Sequence, residues 1–180
     1  MIDGGAGNDT ASYSNSDLRV TVDLVAGTAT GSGHGAGDTL TNIENVIGSQ
    51  FNDNLIGDGN ANSLQGLNGD DDIVGAAGND TLTGNAGSDT LTGGAGDDQL
   101  IGGGGTDSFI FDTATFGADT IIGFANNTEL MDFRGSGLTY SDLTITTGAS
   151  NTVISVTADP ANQITLNGIT TVIDANDFLF

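Results

Sequence analysis

Between residues 48 and 110 an apolar side chain returns at every ninth position: Leu55, Leu64, Ile73, Leu82, Leu91, Leu100 and Phe109. No insertion or deletion interrupts the seven units GSQFNDNLI, GDGNANSLQ, GLNGDDDIV, GAAGNDTLT, GNAGSDTLT, GGAGDDQLI and GGGGTDSFI. A fixed short period marks a solenoid, whose units bury their apolar face only by stacking on one another. The last three residues of a unit, such as Thr81, Leu82 and Thr83, suit a very short strand with its middle side chain inward. The six before them suit a tight loop, since glycine accepts positive φ and close backbone approach. Two units then complete one turn of a flattened coil. Leu55, Ile73, Leu91 and Phe109 line one sheet, and Leu64, Leu82 and Leu100 line the other. With strands roughly 4.8 Å apart, the coil is about 15 Å long.

The flanks keep a β pattern without the period. Residues 1–47 read as an N-terminal β cap holding one isolated repeat. Leu18, Val20, Val22 and Leu24 alternate with polar residues, as in a half-buried strand. Ala26 and Gly27 turn the chain into Thr28, Ala29 and Thr30. The stretch 31–37 is a glycine-rich loop, and Asp38, Thr39 and Leu40 are an out-of-register remnant of the repeat. Leu40, Ile43 and Val46 continue the inward ladder toward residue 48. Beyond 110, strands are expected at 120–124, 143–147, 152–156 and 163–166, with turns at 135–137, 158–160 and 167–168. Residues 111–180 read as a C-terminal β cap, which a solenoid needs to protect its open edge. Helix is confined to a single turn near 140–143 or 175–178. The expected fold class is all-β: a coil of parallel strands at 48–110, capped at both ends.

Charge changes this picture. Six of the seven units carry Asp at the sixth place, and the units together hold ten Asp and no Lys or Arg. Stacking sets Asp53, Asp71, Asp89 and Asp107 in one column, and Asn62, Asp80 and Asp98 in the other. Seven apolar side chains are a thin core for such a coil, and the stacked carboxylates repel. A hard cation resolves both problems. Calcium takes six to eight oxygen ligands from carboxylates and backbone carbonyls, and the loops expose carbonyls at Gly66, Gly69, Gly75, Gly78, Gly84, Gly87, Gly93, Gly94, Gly96, Gly102, Gly103 and Gly105. Several ions, roughly three to five, would fit between the loops. Folding is then linked to metal binding, and the calcium-free chain is expected to be disordered.

These units resemble the RTX, or hemolysin-type, calcium-binding repeats of proteins exported by bacterial type I secretion. The resemblance implies a parallel β-roll with calcium bound between successive turns. It carries best onto Asp71, Asp80, Asp89, Asp98 and Asp107. Gly4-Gly5-Ala6-Gly7-Asn8-Asp9 is an eighth match, placing Asp9 among the metal candidates. The first two contiguous units depart from the pattern: Phe51 stands at the fourth place of one, and Asn62 replaces Asp at the sixth place of the other. Residues 109–112, 116–124 and 177–180 resemble the C-terminal portion of serralysin-type and other type I-secreted exoproteins. That likeness implies a cap containing an uncleaved export signal, passage through type I secretion machinery, and a secreted or cell-surface location. Met1 directly before a repeat suggests a fragment of a longer exoprotein with an upstream catalytic or adhesive domain.

Other chemistries fit poorly. A net charge of −22, with Arg19 and Arg134 as the only basic side chains besides His34, disfavours nucleic acid and anionic membranes as partners. No cysteine is present for disulfides or thiolate zinc. No stretch is long and apolar enough to insert into a bilayer, and the N-terminus has no secretory leader pattern. An EF-hand starting at Asp58 fails because Ser63 and Gly69 occupy places reserved for Gly and Glu, and a phosphate loop needs a Lys. His34 alone in a glycine-rich loop and the run Asp70-Asp71-Asp72 give no catalytic constellation, so this segment is read as non-enzymatic. Thr81/Thr83 and Thr90/Thr92 do not extend into a regular array of the ice-binding kind.

Overall fold

A computed structural model describes residues 1–31, 37–113, 115–125, 128–171 and 173–180; His34 lies outside them. The strands form two sheets facing each other across one apolar ladder. In the first, Asn54–Ile56, Asp72–Ala77, Thr90–Ala95 and Ser108–Ile110 lie side by side; in the second, Ser63–Asn68, Thr81–Ala86 and Gln99–Gly104 do. All these pairings are parallel and offset by two units: Leu55 opposite Ile73, Ile73 opposite Leu91, and Leu91 opposite Phe109. The other face matches Leu64 with Leu82 and Leu82 with Leu100. Each of these side chains is fully buried. The β-roll expected from the period is the fold observed.

The strands differ from the expected three residues. Asp72–Ala77, Thr81–Ala86 and Thr90–Ala95 are six long, crossing the unit boundary and leaving a loop of only three. The reason is a corner inside the strand. The second-place residues Leu67, Ala76, Asn85, Gly94 and Gly103 all take positive φ, between 80° and 114°. Pairing then resumes, with Asn85 opposite Gly103 and Gly94 opposite Ala76. A left-handed residue turns the backbone without ending the ladder.

Both sheets run on past residues 48 and 110. Val22 pairs with Leu55, Val46 with Leu64, and Ala11 with Val46. At the other end Leu100 pairs with Ile121, Phe109 with Met131, Ile121 with Leu166, and Met131 with Phe178. Thus the inward ladder includes residues from outside the period. Among the described residues antiparallel strands appear only in the flanks: Val20–Asp23 with Thr28–Gly31, Thr28–Gly31 with Asp38–Thr41, and Leu143–Thr147, Asn151–Val156 and Asp159–Asn167 in a meander. An aromatic cluster of Phe111, Phe116, Phe133 and Phe178 fills the C-terminal end.

Several local expectations shift. Leu18 is 42% exposed, and its strand starts only at Val20, because Ser16 Oγ donates to the Leu18 carbonyl at 2.7 Å and holds a bend. The strand expected at 120–124 is Ala118–Ile122. The turn expected at 158–160 falls at residues 157–158, where Val156 pairs with Asp159. Among the described residues, helix is limited to the 3-10 turns Tyr140–Asp142 and Ala175–Asp177.

Candidate metal centre

Stacking the loops two units apart brings each sixth-place carboxylate under the backbone of the preceding rung. The N–H of Asp53 donates to Asp71 Oδ1 at 2.8 Å, that of Asp71 to Asp89 Oδ1 at 2.9 Å, and that of Asp89 to Asp107 Oδ1 at 2.9 Å. The second column repeats the arrangement: Asn62 N–H to Asp80 Oδ1 at 2.7 Å and Asp80 N–H to Asp98 Oδ1 at 2.8 Å. The five carboxylates are no more than 3% exposed.

One oxygen of each is left over. Oδ2 of Asp71, Asp80, Asp89, Asp98 and Asp107 is buried with no hydrogen-bond partner. An unpaired buried acceptor is costly, and a charged one more so. A Cβ built on Gly66, Gly75, Gly84, Gly93 or Gly102, the first glycine of each unit, would collide with that Oδ2. The same points lie 3.0 Å from the Gly84 carbonyl, 2.6 Å from that of Gly93 and 2.7 Å from that of Gly102 for the first three. Glycine therefore lets the carboxylate oxygen close against the main chain, where carboxylate and carbonyl oxygens come together. Among the described residues no three carboxylate or imidazole side chains converge on one point. A cation here would draw on one or two carboxylates plus main-chain carbonyls, a donor set that suits calcium rather than zinc.

The fourth-place glycines serve another purpose. A Cβ on Gly69 or Gly78 would meet backbone of the rung below, at residues 51–52 and 60–61. A Cβ on Gly87, Gly96 or Gly105 would overlap the carbonyls of Gly69, Gly78 and Gly87, and all five have positive φ. They permit close loop stacking. Gly94 and Gly103 do the same over Ala76 and Asn85.

Burial, above all, pushes the Asp71 carboxyl up to about 7; the Asp53 N–H draws it back, and Asp89, Asp53 and Asp70 raise it further. Asp80 and Asp89 are pushed to about 6 in the same way, with Asp98 and Asp107 as their respective nearest like charges. Asp98 is also raised by burial. Anions desolvated next to anions hold protons more tightly unless a cation replaces the proton.

The leading loops are different. Asp53 Oδ1 accepts from Val20 N–H at 2.7 Å and from Ser49 Oγ at 2.7 Å, and its Oδ2 accepts from Ser49 N–H. Asn62 Oδ1 accepts from Asp58 N–H at 2.7 Å, and its Nδ2 donates to the Glu44 carbonyl at 3.0 Å. Asp9 sits in its own loop, where its N–H donates to Glu44 Oε2 at 2.8 Å and its Oδ2 is without a partner.

Two carboxylates outside the nonapeptides extend the columns. Asp119 Oδ1 accepts from Asp98 N–H at 2.9 Å, and Glu129, buried against Asp107, is pushed up to about 7 by burial first. Gly117-Ala118-Asp119-Thr120-Ile121 retains the glycine, Asp and apolar places of the unit, but the spacing from Asp98 is 21 instead of 18. That insertion conceals it from a search for period nine. Glu129 carries no such signal.

Stacked nonapeptide loops with closely approached glycines and inward carboxylate columns define a parallel β-roll of the calcium-binding class. Residues 1–12, 47–82 and 74–109 match the family described as RTX calcium-binding nonapeptide repeat. No curated protein sequence matches it. Among solved structures, it is similar to the solution structure of the AlgE6R2 subunit of the Azotobacter vinelandii mannuronan C5-epimerase, with 28% identity and a TM-score of 0.56, over 70% of this chain and 91% of that one. It shares its fold with the extracellular lipase LipA of Serratia marcescens, at 23% identity and a TM-score of 0.60, spanning 99% of this chain but only 33% of the lipase.

Proposed function

We propose that this chain is the calcium-dependent folding module of an exported protein, with Asp71, Asp80, Asp89, Asp98 and Asp107 holding the ions. The observation that carries the reading is the repeated one: five buried carboxylates, each with one oxygen hydrogen-bonded to the rung above and the other packed without a partner against a first-place glycine. Calcium supplies positive charge and oxygen affinity that cancel the repulsion along each column. The Asp side chains orient through Oδ1 and present Oδ2. Gly84, Gly93 and Gly102 contribute carbonyls, and the remaining loop glycines allow the turns to approach. Asp53, Asn62 and Asp9 are weaker candidates, the first two because protein donors already meet them.

Three segments divide the work in this reading. Residues 1–47 cap one end, 48–110 form the roll, and 111–180 close the other end and carry the export signal. Extracellular-type calcium modules bind with dissociation constants on the order of 10⁻⁴–10⁻³ M, so the chain would cross a type I machinery unfolded and fold outside the cell. RTX repeats are typical of secreted bacterial proteins, and among the described residues no helix is long and apolar enough to cross a membrane. The likeness to a subunit of a mannuronan C5-epimerase favours a second, compatible role as the attached module of a secreted enzyme rather than of an adhesin.

The test is far-ultraviolet circular dichroism of the purified chain during a calcium titration from excess chelator. Strand signal should rise with calcium over the micromolar-to-millimolar range. A complete strand signal in chelator would overturn the folding switch. Deleting residues 177–180 should abolish export by a type I system, and undiminished secretion would remove the C-terminal signal from the proposal.

A further inference from the structure

We infer that the calcium ladder does not end with the last nonapeptide, and that Asp98 and Asp119 frame one more calcium site joining the roll to the C-terminal cap. The inference rests on the calcium reading above and extends it to residues the repeat family does not cover, since the matched segments stop at 109.

Four observations place Asp119 in the series. Its side chain is 1% exposed. Its Oδ1 accepts from Asp98 N–H at 2.9 Å, as Asp98 Oδ1 accepts from Asp80 N–H at 2.8 Å. Its Oδ2 is buried without a hydrogen-bond partner, like those of the repeat carboxylates. Gly117, two residues earlier, has φ of +88° and lies so close to the Gly96 carbonyl that no Cβ would fit, the relation that Gly105 has to Gly87. The loop therefore repeats the close glycine approach and the buried Asp of the nonapeptide although 21 residues, not 18, separate its Asp from the preceding one.

The next rung shows what a closed end looks like. Asn162 is buried below this loop, and its Oδ1 accepts from Phe116 N–H at 2.9 Å and Gly117 N–H at 3.0 Å. Its Nδ2 donates to Asp159 Oδ2 at 2.9 Å. A neutral amide with both ends engaged requires no cation, so the column stops at Asp119.

The consequence is that cap and roll share an ion. Asp119 is in the strand Ala118–Ile122, which pairs with Gln99–Gly104 on one side and Asp159–Asn167 on the other. An ion shared by Asp98 and Asp119 would fix the cap to the last loops of the roll.

Native mass spectrometry and calorimetry on the full chain test this by counting ions. Asp119→Asn should bind one calcium fewer than the unaltered chain while its strand signal at saturating calcium is retained. An equal count would overturn the inference and leave the repeat sites standing. No calcium on the unaltered chain would instead overturn the calcium reading as a whole. Because the variant could fail to fold, the unaltered chain provides a second measurement. In the folded, calcium-saturated chain, the side-chain carboxyl ¹³C resonance of Asp119 should shift together with that of Asp89 when calcium is exchanged for cadmium. A resonance that stays in place while that of Asp89 moves would overturn the inference without any substitution.

Discussion

The loops starting at Gly48 and Gly57 and those starting at Gly66 and beyond share period, sheet and apolar ladder, yet they leave their sixth-place side chains in opposite conditions. In the first two, Ser49 and Asp58 hand their N–H groups to Asp53 and Asn62. In the later ones the second-place residue has turned to positive φ, and the corresponding Oδ2 is unpaired. One backbone conformation separates a loop that satisfies itself from a loop that presents a buried anionic oxygen. Leu67, Ala76 and Asn85 take that conformation without being glycine, at a cost of about 1–2 kcal/mol each. Strain borne at a candidate site, next to an unpaired acceptor, is what a binding loop shows before its ligand is considered.

The largest effect should come from crowding the later loops. Gly96→Ala combines φ of +135° with a Cβ placed on the Gly78 carbonyl, and should cost at least about 3 kcal/mol at saturating calcium. Gly59→Ala, in the leading pair, meets nothing within 4 Å and should stay within about 0.5 kcal/mol of the parent. Thermal or urea unfolding of both variants measures the difference. Equal costs would mean that the two sets of loops are not packed differently.

Charge removal separates the sets by kind of effect. Asp89→Asn keeps an acceptor for Asp71 N–H but replaces the unpaired oxygen, so the calcium midpoint should rise about tenfold, the loss of a charged ligand. Asp53→Asn sets an amide against donors on Ser49 and Val20. It should lower stability by about 1–3 kcal/mol, moving the folding midpoint only through linkage, with the number of bound ions unchanged. Native mass spectrometry of the calcium-saturated chains distinguishes the two, with ions lost only from Asp89→Asn, and an ion lost from Asp53→Asn would erase the comparison.

Much of this is legible in the sequence. The ninefold return of Leu, Ile and Phe sets the ladder, because a two-unit turn leaves those side chains one direction to point. The sixth-place Asp follows from the same count. Three features were hidden. The six-residue strands depend on left-handed residues that, at Leu67 and Ala76, no propensity would place there. The quenching of Asp53 depends on Val20, 33 positions away, a contact that the repeat does not encode. The rung carrying Asp119 follows an insertion, so the register that reveals the other loops conceals this one.

Protonation offers a milder test. Asp71, Asp80 and Asp89 rise from an ordinary 3.8 to about 7, 6 and 6. The folded chain therefore binds more protons than the unfolded one. Each group contributes stability that is fully present below about 3.8 and is lost as pH climbs through about 6 to 7. Without calcium, strand content should increase as pH falls from 8 to 5. With calcium, affinity should grow over the same window as pH rises, with release of protons. Calcium-free strand content that is greatest at pH 8 would show that these carboxylates are not desolvated together.

The smallest expected effect asks whether the left-handed second place is the cause of the difference or its companion. Ala76 has φ of 83° and pairs with Gly94, which already holds that conformation as glycine. Ala76→Gly should relieve about 1 kcal/mol of strain, partly offset by the greater freedom of glycine in the unfolded chain. Ser49→Gly has no such strain to relieve, since Ser49 is not left-handed, and it removes the hydroxyl that donates to Asp53. The first variant should gain a few tenths of a kcal/mol to about 1 kcal/mol, and the second should lose about 1 kcal/mol. Opposite signs in calcium-saturated unfolding would tie the unpaired oxygens to the backbone turn at place two. A loss in both would mean that Ala76 is held by its neighbours at no strain, and the contrast between the loops would then lie in the side chains alone.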